Sequence, residues 1–491
     1  MAIMTWRIAL LVATALTTLA GTPVRAQDAE TVASPEEAAA QLEFLKAQVD
    51  ALQAQLDSLK KAVGIATPTW KGTPESSSGS SGYRFKLTGE LQFDAGQVGN
   101  PGNRINTPNL GFNGRSRRAL IGAEGVLPGD FSYKFQFNFA EGVVDYEDLL
   151  LEYAPHTTPF TFSVGYFYPF SSLDNMTSNR FVSVVERSQL NDAFSNGRRL
   201  GLAATYVNKS NDFRLQVGAF NEGVNGNPSP ANAATPANQN LFDRTGYQFS
   251  ARAVYSPVYA GTQFHLAGSY QYRRFRQSSL GLNYRARPFA QTTDQRFVAT
   301  GGIAANGDSI YGAEVLAIHG PLHVQGEAQV LQVDGIQPGS IASNPQLFIG
   351  TLYPISPSFW SAYGEVGYWL TGETRGYKNG KIDRTKILRP VSDGGPGGLQ
   401  IVGRVDYINL TQNVGNSAAN SFGQVNGGRQ IGYLAALNYW PIDYVRFTAE
   451  YARAEVRGGP FAAVVVPTST APAFLRDYGT DAFIFRAQVD F

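Results

Sequence analysis

The chain has 491 residues with no cysteine, a formal net charge of +1, and only 16% Asp, Glu, Lys and Arg. That excludes disulfide scaffolds and thiolate metal sites and argues against a strongly basic nucleic-acid binder. A mean hydropathy of -0.19 argues equally against a helical membrane protein. With 12% aromatics and 52 glycines, one large structure of short alternating strands fits better.

Residues 1–26 read as a signal peptide. Arg7 precedes an apolar run from Ile8 to Ala20, then come Gly21, Pro23 and Val24-Arg25-Ala26, a pattern suited to cleavage before Gln27. That run is shorter than the ~20 residues a spanning helix needs, and no later run reaches it. If the chain is embedded in a membrane, it must be a barrel. Over 34–64 the period is helical. Leu42, Leu45, Val49, Leu52, Leu56, Leu59 and Val63 recur in steps of three and four, flanked by Glu43, Lys46, Gln48, Gln53, Lys60 and Lys61. This narrow seam predicts a coiled-coil helix that self-associates, the alternative being one amphipathic helix lying on the rest of the protein. Residues 65–82, containing GTPESSSGSSG, predict a flexible linker.

From Tyr83 to Phe491 the period is two. In Phe131-Ser132-Tyr133-Lys134-Phe135-Gln136-Phe137-Asn138-Phe139 every odd position is aromatic and every even one polar. The same alternation returns around Leu91, Leu215, Phe447 and Phe485. A soluble sandwich also alternates. Strands of about ten residues, aromatics near strand ends and an outward Phe491 favour a transmembrane barrel with an apolar outside and a polar lumen. Short turns at 127–130, 154–159, 208–212, 256–261, 319–321 and 440–443 alternate with longer polar connections, and Thr371 to Pro396 is long where a short turn is due. The count is sixteen antiparallel strands, enough to leave a water-filled lumen.

Several stretches resemble the phosphate-selective porins of the O/P type: Arg117-Arg118-Ala119-Leu120-Ile121-Gly122, Gly129-Asp130-Phe131-Ser132-Tyr133-Lys134-Phe135, and Val164-Gly165-Tyr166 with Pro169-Phe170-Ser171. Leu370-Thr371-Gly372-Glu373-Thr374-Arg375 and the ending Arg486-Ala487-Gln488-Val489-Asp490-Phe491 continue the likeness. The resemblance implies a bacterial outer-membrane channel for phosphate or other small anions, contacting lipid bilayer and lipopolysaccharide. It further implies a homotrimer with the N-terminal helix in the periplasm, and a third long loop, about Tyr168 to Gly197, folded into the pore.

Of the 40 basic residues ten are lysine and thirty arginine, so the cationic charge is mostly guanidinium, which binds oxyanions bidentately and stays charged. By strand parity, inward Lys86, Arg118, Lys134, Arg214, Arg252, Arg273, Arg404, Arg446 and Arg486 nearly cancel inward Glu90, Asp94, Glu124, Asp148, Glu152, Glu314, Glu327, Glu365, Asp406 and Glu450. Selectivity must then arise from local excess, which 104–118 and 273–287 both carry. The residues expected to line the pore and bind anions are Arg115, Arg117, Arg118, Lys134, Arg180, Arg187, Arg198 and Arg199. The inward loop has no lysine, so anion preference carries over from the resemblance better than phosphate specificity. A catalytic, metal or cofactor site is not expected. His156, His265, His319 and His323 match no zinc spacing, there is no Gly-x-Ser-x-Gly, and Ile382 stands where a phosphate loop needs Ser or Thr. Two other functions stay open: a pore for neutral solutes such as sugars, for which inward Trp369 and Phe167 are few, and an envelope tether using the helical extension.

Overall fold

The computed structural model describes residues 43, 46–53, 55, 69–70, 74–78, 82–142, 144–221, 245–335, 356–415 and 424–491. Residues 46–53 are helical; the signal peptide and the rest of the expected coiled coil lie outside the described residues.

Sixteen strands form the barrel: β1 (Tyr83–Val98), β2 (Gly111–Leu127), β3 (Phe131–Asn138), β4 (Asp145–Tyr153), β5 (Phe160–Phe167), β6 (Arg199–Val207), β7 (Phe213–Phe220) and β8 (Thr245–Tyr255). There follow β9 (Thr262–Leu282), β10 (Ile303–His319), β11 (Leu322–Gly335), β12 (Ser358–Trp369), β13 (Gly398–Gln412), β14 (Val425–Ile442), β15 (Val445–Arg457) and β16 (Asp477–Asp490). Each pairs antiparallel with the next, and β16 pairs with β1. Closure satisfies every wall strand on both edges, which is what a sheet in lipid requires. Phe491 completes it: its N–H donates to Gly89 O at 3.0 Å, and Gly89 N–H donates back at 2.9 Å.

Below Gly89 the first residues of β1 have no β16 neighbour. Pro74–Ser78 fills that edge, pairing with Tyr83–Lys86 and with Thr69–Trp70. The linker expected over 65–82 therefore does not hold at those residues, because a free strand edge templates any unobstructed chain beside it.

The alternation runs as expected on the outside. Along β12 Trp360, Val366 and Tyr368 are exposed while Phe359, Ser361, Glu365 and Trp369 are buried. The inside departs from the expected polar lumen. Ile310, Leu331, Val333, Phe359, Ile408 and Leu410 point inward and are buried against Leu190, Phe194, Tyr284 and Phe297. Those partners come from two connections folded into the barrel, L3 (residues 168–198) and L5 (residues 283–302). Where these loops cover it, the inner face of β10–β14 carries apolar residues beside polar anchors for the loops, since burial favours apolar side chains whichever way the strand faces. L5 seats Phe289, at φ 62°, against Gly432, where any Cβ would collide with the ring.

Strand length divides the wall. β3–β8 have 8 to 11 residues, whereas β9–β16 have 12 to 21. The exceptional connection 370–397 carries a small hairpin, Gly376–Lys378 with Lys381–Asp383. It enters from the short-turn side: Ile382 packs on Leu173, Leu316 and Ile318. Arg252 Nη2 donates to Gly380 O at 3.0 Å.

Candidate functional site

Two register faults build the cationic patch. Between β1 and β2, Gln92 faces Arg118 and Phe93 faces Ser116, leaving Arg117 unopposed. In a regular strand Arg117 would point to lipid; the bulge turns Arg115, Arg117 and Arg118 all toward the interior. Between β3 and β4, Phe135 faces Leu149 and Phe137 faces Tyr146, so Glu147 and Asp148 share one position. Strict parity sent only Asp148 inward; the bulge sends both.

Together the bulges make a charge ladder. Arg118 Nη1 meets Glu147 at 3.2 Å, and Arg198 bridges Glu147 and Asp148, the latter at 2.6 Å. Lys134 Nζ closes the row on Asp148 at 2.6 Å. The Arg198 guanidinium lies 4.1 Å from the centroid of the Tyr168 ring, a cation–π contact.

L3 is bound to the opposite wall. Its backbone N–H groups at Asp174, Val185 and Gln189 donate to Glu327 (2.8 Å), Glu450 (2.7 Å) and Asp406 (3.0 Å). Its carbonyls at Ser183, Val182 and Arg180 accept from Asn438, Arg446 and Gln488. Glu327, Asp406 and Glu450 were expected as lumenal charges; they are instead buried anchors for the loop. The other inward pairs do knit the wall: Arg252 with Glu314 at 2.6 Å, Arg404 with Glu365 at 2.6 Å, Arg486 with Asp94 at 2.6 Å.

With L3 across β11–β16, space remains beside β2–β8. A cavity of about 200 Å³, here termed the constriction, lies between L3, L5 and β2, and a larger one of about 770 Å³, here termed the vestibule, adjoins it; Tyr168 lines both. Four guanidinium groups line the constriction, Arg117, Arg118, Arg187 and Arg287, against two carboxylates, Glu186 and Asp192. Arg117 holds Glu186 through two bonds of 3.1 and 3.2 Å, and Arg486 holds it at 2.6 Å. Burial alone would raise the Glu186 carboxyl, but Arg117 and Arg486 outweigh it and hold it well below the usual carboxylate range. Asp192 is shared by Arg296 at 2.6 Å and Arg287 at 3.4 Å. Arg187 differs: its Nε donates to Asp174 O at 2.8 Å and its Nη2 to Thr177 O at 2.6 Å, and among the described residues no carboxylate lies within 4 Å of it.

Of the arginines and lysine singled out from the sequence, Arg117, Arg118 and Arg187 line the smaller cavity and Lys134 the larger one, and Arg198 stacks on the Tyr168 ring that lines both. Arg115, Arg180 and Arg199 line neither cavity. Arg115 is bound to Gln291 O and Asp294 on L5, Arg180 lies 3.6 Å from Glu90, and Arg199 is buried in the wall at the start of β6. In the basic stretch 273–287, Arg273 is paired with Asp308 and Arg274 with Asp334, and Arg287 reaches the constriction, where Asp192 and Asp294 hold it. Sequence reasoning missed Lys381, carried into the vestibule by the inserted hairpin. Among the described residues neither Lys381 nor vestibule Arg214 has a carboxylate within 4 Å.

A closed sixteen-stranded antiparallel barrel with an apolar exterior and charged cavities inside has the architecture of an outer-membrane channel. The chain belongs to the family described as phosphate-selective porin O and P, whose pattern matches residues 85–467. It is 32% identical over 391 residues to an uncharacterized protein of Caulobacter vibrioides, covering 79% of this chain and 72% of that one. It is 24% identical to Porin O of Pseudomonas aeruginosa, covering 78% of this chain and 86% of that one. Among solved structures, OprB of Pseudomonas putida is 10% identical with a TM-score of 0.48, covering 83% of this chain and 94% of that one.

Proposed function

We propose that this outer-membrane porin is an anion-preferring channel for passive uptake of phosphate-like or other small anionic solutes. The observation carrying this reading is the constriction's excess of four guanidinium groups over two carboxylates. Arg187 adds uncompensated charge, and a narrow passage of reduced dielectric amplifies it: two unit charges 4 Å apart interact by about 4 kcal/mol at an effective dielectric of 20, against about 1 in water. Beside it, Lys381 and Arg214 keep the vestibule attractive to the same ions. The test is the reversal potential of single channels in a KCl gradient across a planar bilayer. Replacing Arg117, Arg118 and Arg187 together by Ala should lower the anion-to-cation permeability ratio by about tenfold; an unchanged ratio removes them from the mechanism.

The assembly proposed is a homotrimer. Strands tilted in a bilayer need ~9–11 residues to cross it. Strands β3, β5 and β7 have 8 each, and their outward Phe131, Phe135, Phe160 and Phe162 suit another protein surface rather than a full lipid thickness. Analytical ultracentrifugation in detergent checks the mass.

A further inference from the structure

Resting on the anion-preferring reading, we propose that the constriction is fitted to a polyhydroxylated organic anion, one charged head on a body of hydroxyl groups, rather than to inorganic phosphate. The cavity of about 200 Å³ has room for roughly six waters at ~30 Å³ each, so a single small oxyanion leaves most of its lining uncontacted. That lining is not uniformly cationic. Arg187 and Arg118 supply donors. The same lining holds the neutral polar side chains of Gln189, Asn191, Ser195 and Gln291, beside the carboxylates of Glu186 and Asp192 as acceptors.

A bare oxyanion satisfies the arginines only. Chloride has no hydrogen to give, a phosphate dianion has one, and both are repelled by the two carboxylates. A hydroxyl donates and accepts, so it can serve the lining amides and the carboxylates while an anionic head sits against Arg187 and Arg118. A solute that displaces water from those polar groups without replacing its hydrogen bonds binds worse, which makes such a match selective.

The experiment is block of single-channel chloride current by added solutes: gluconate, glucose 6-phosphate, inorganic phosphate and neutral glucose. Gluconate and glucose 6-phosphate should each reach half-block at about one tenth of the phosphate concentration, with glucose weaker than both. Asn191→Ala and Gln291→Ala should each raise the gluconate half-block concentration roughly fivefold and shift phosphate less. Gluconate no better than phosphate overturns the proposal, as does glucose blocking as well as gluconate, or variants that shift gluconate and phosphate equally. The parent reading fails separately, through a wild-type reversal potential showing no anion preference.

Discussion

The two sides of this barrel use the same alternation to opposite ends. Along β10–β16 the inward residues are covered by L3 and L5: Glu327, Asp406 and Glu450 anchor loop backbone, and Phe359, Leu331 and Ile408 make a second core inside the barrel. Along β2–β8 several inward residues line the two cavities, and charges there pair with one another in the ladder from Arg118 to Lys134. What separates the sides is which wall the third loop selects. A polar residue pointing inward anchors the loop where it lies under one and lines a cavity where it lies beside one.

The sharpest test of that division is Glu365→Ala on the packed side. It leaves Arg404, Arg375 and His323 buried without their shared counter-charge. Breaking such a group costs about 3–5 kcal/mol, so the urea midpoint of the barrel in lipid vesicles should fall sharply. A midpoint unmoved would mean that this wall is not held by its ion pairs. Next in size is Asp406→Ala, which removes the acceptor of Gln189 N and Nε2; hydrogen bonds to a charged group contribute about 1.5–3 kcal/mol. L3 should loosen, and single-channel conductance should rise and become noisier. A quiet, unaltered channel would show that the other anchors suffice.

On the open side effects should appear in selectivity and not in stability. Lys381→Ala removes a cation from the wide vestibule, where water screens it, so the permeability ratio should fall by less than about threefold, with no change in urea midpoint. The smallest effect is expected from pH. Because the Glu186 carboxyl is depressed, its stabilising contribution is present above the unfolded value near ~4.3 and is lost only as pH falls through the lowered one. The Glu186 staple should therefore hold between pH 8 and pH 5. A loop-opening transition assigned to Glu186 in that range, by loss in Glu186→Gln, would break the comparison.

Strand number, strand direction and the outer face were legible because each rests on local period and turn chemistry. The turn His319-Gly320-Pro321-Leu322 is an example, with Gly320 at φ 52° in a two-residue loop. The pairing of Arg252 with Glu314 and of Arg404 with Glu365 was also within reach of parity. Beyond reach were the two bulges, although each left a trace: Arg117-Arg118 and Glu147-Asp148 are like-charged doublets in strands that otherwise alternate. In a strictly alternating strand each doublet would aim one charge at lipid, and a shift of register avoids that at both places, whereas Arg273-Arg274 on β9 keeps its register.

The chain by itself determined a barrel, because a period of two over some four hundred residues admits lipid on one face and something else on the other. Only the tertiary structure decided what that something else is. L3 chose the long-strand wall through hydrogen bonds between residues up to 308 positions apart, such as Gln488 with Arg180. The hairpin at 376–383 brought Lys381 in from the far end. No local pattern records either event, since each depends on backbone groups meeting partners that only closure of the barrel brings near.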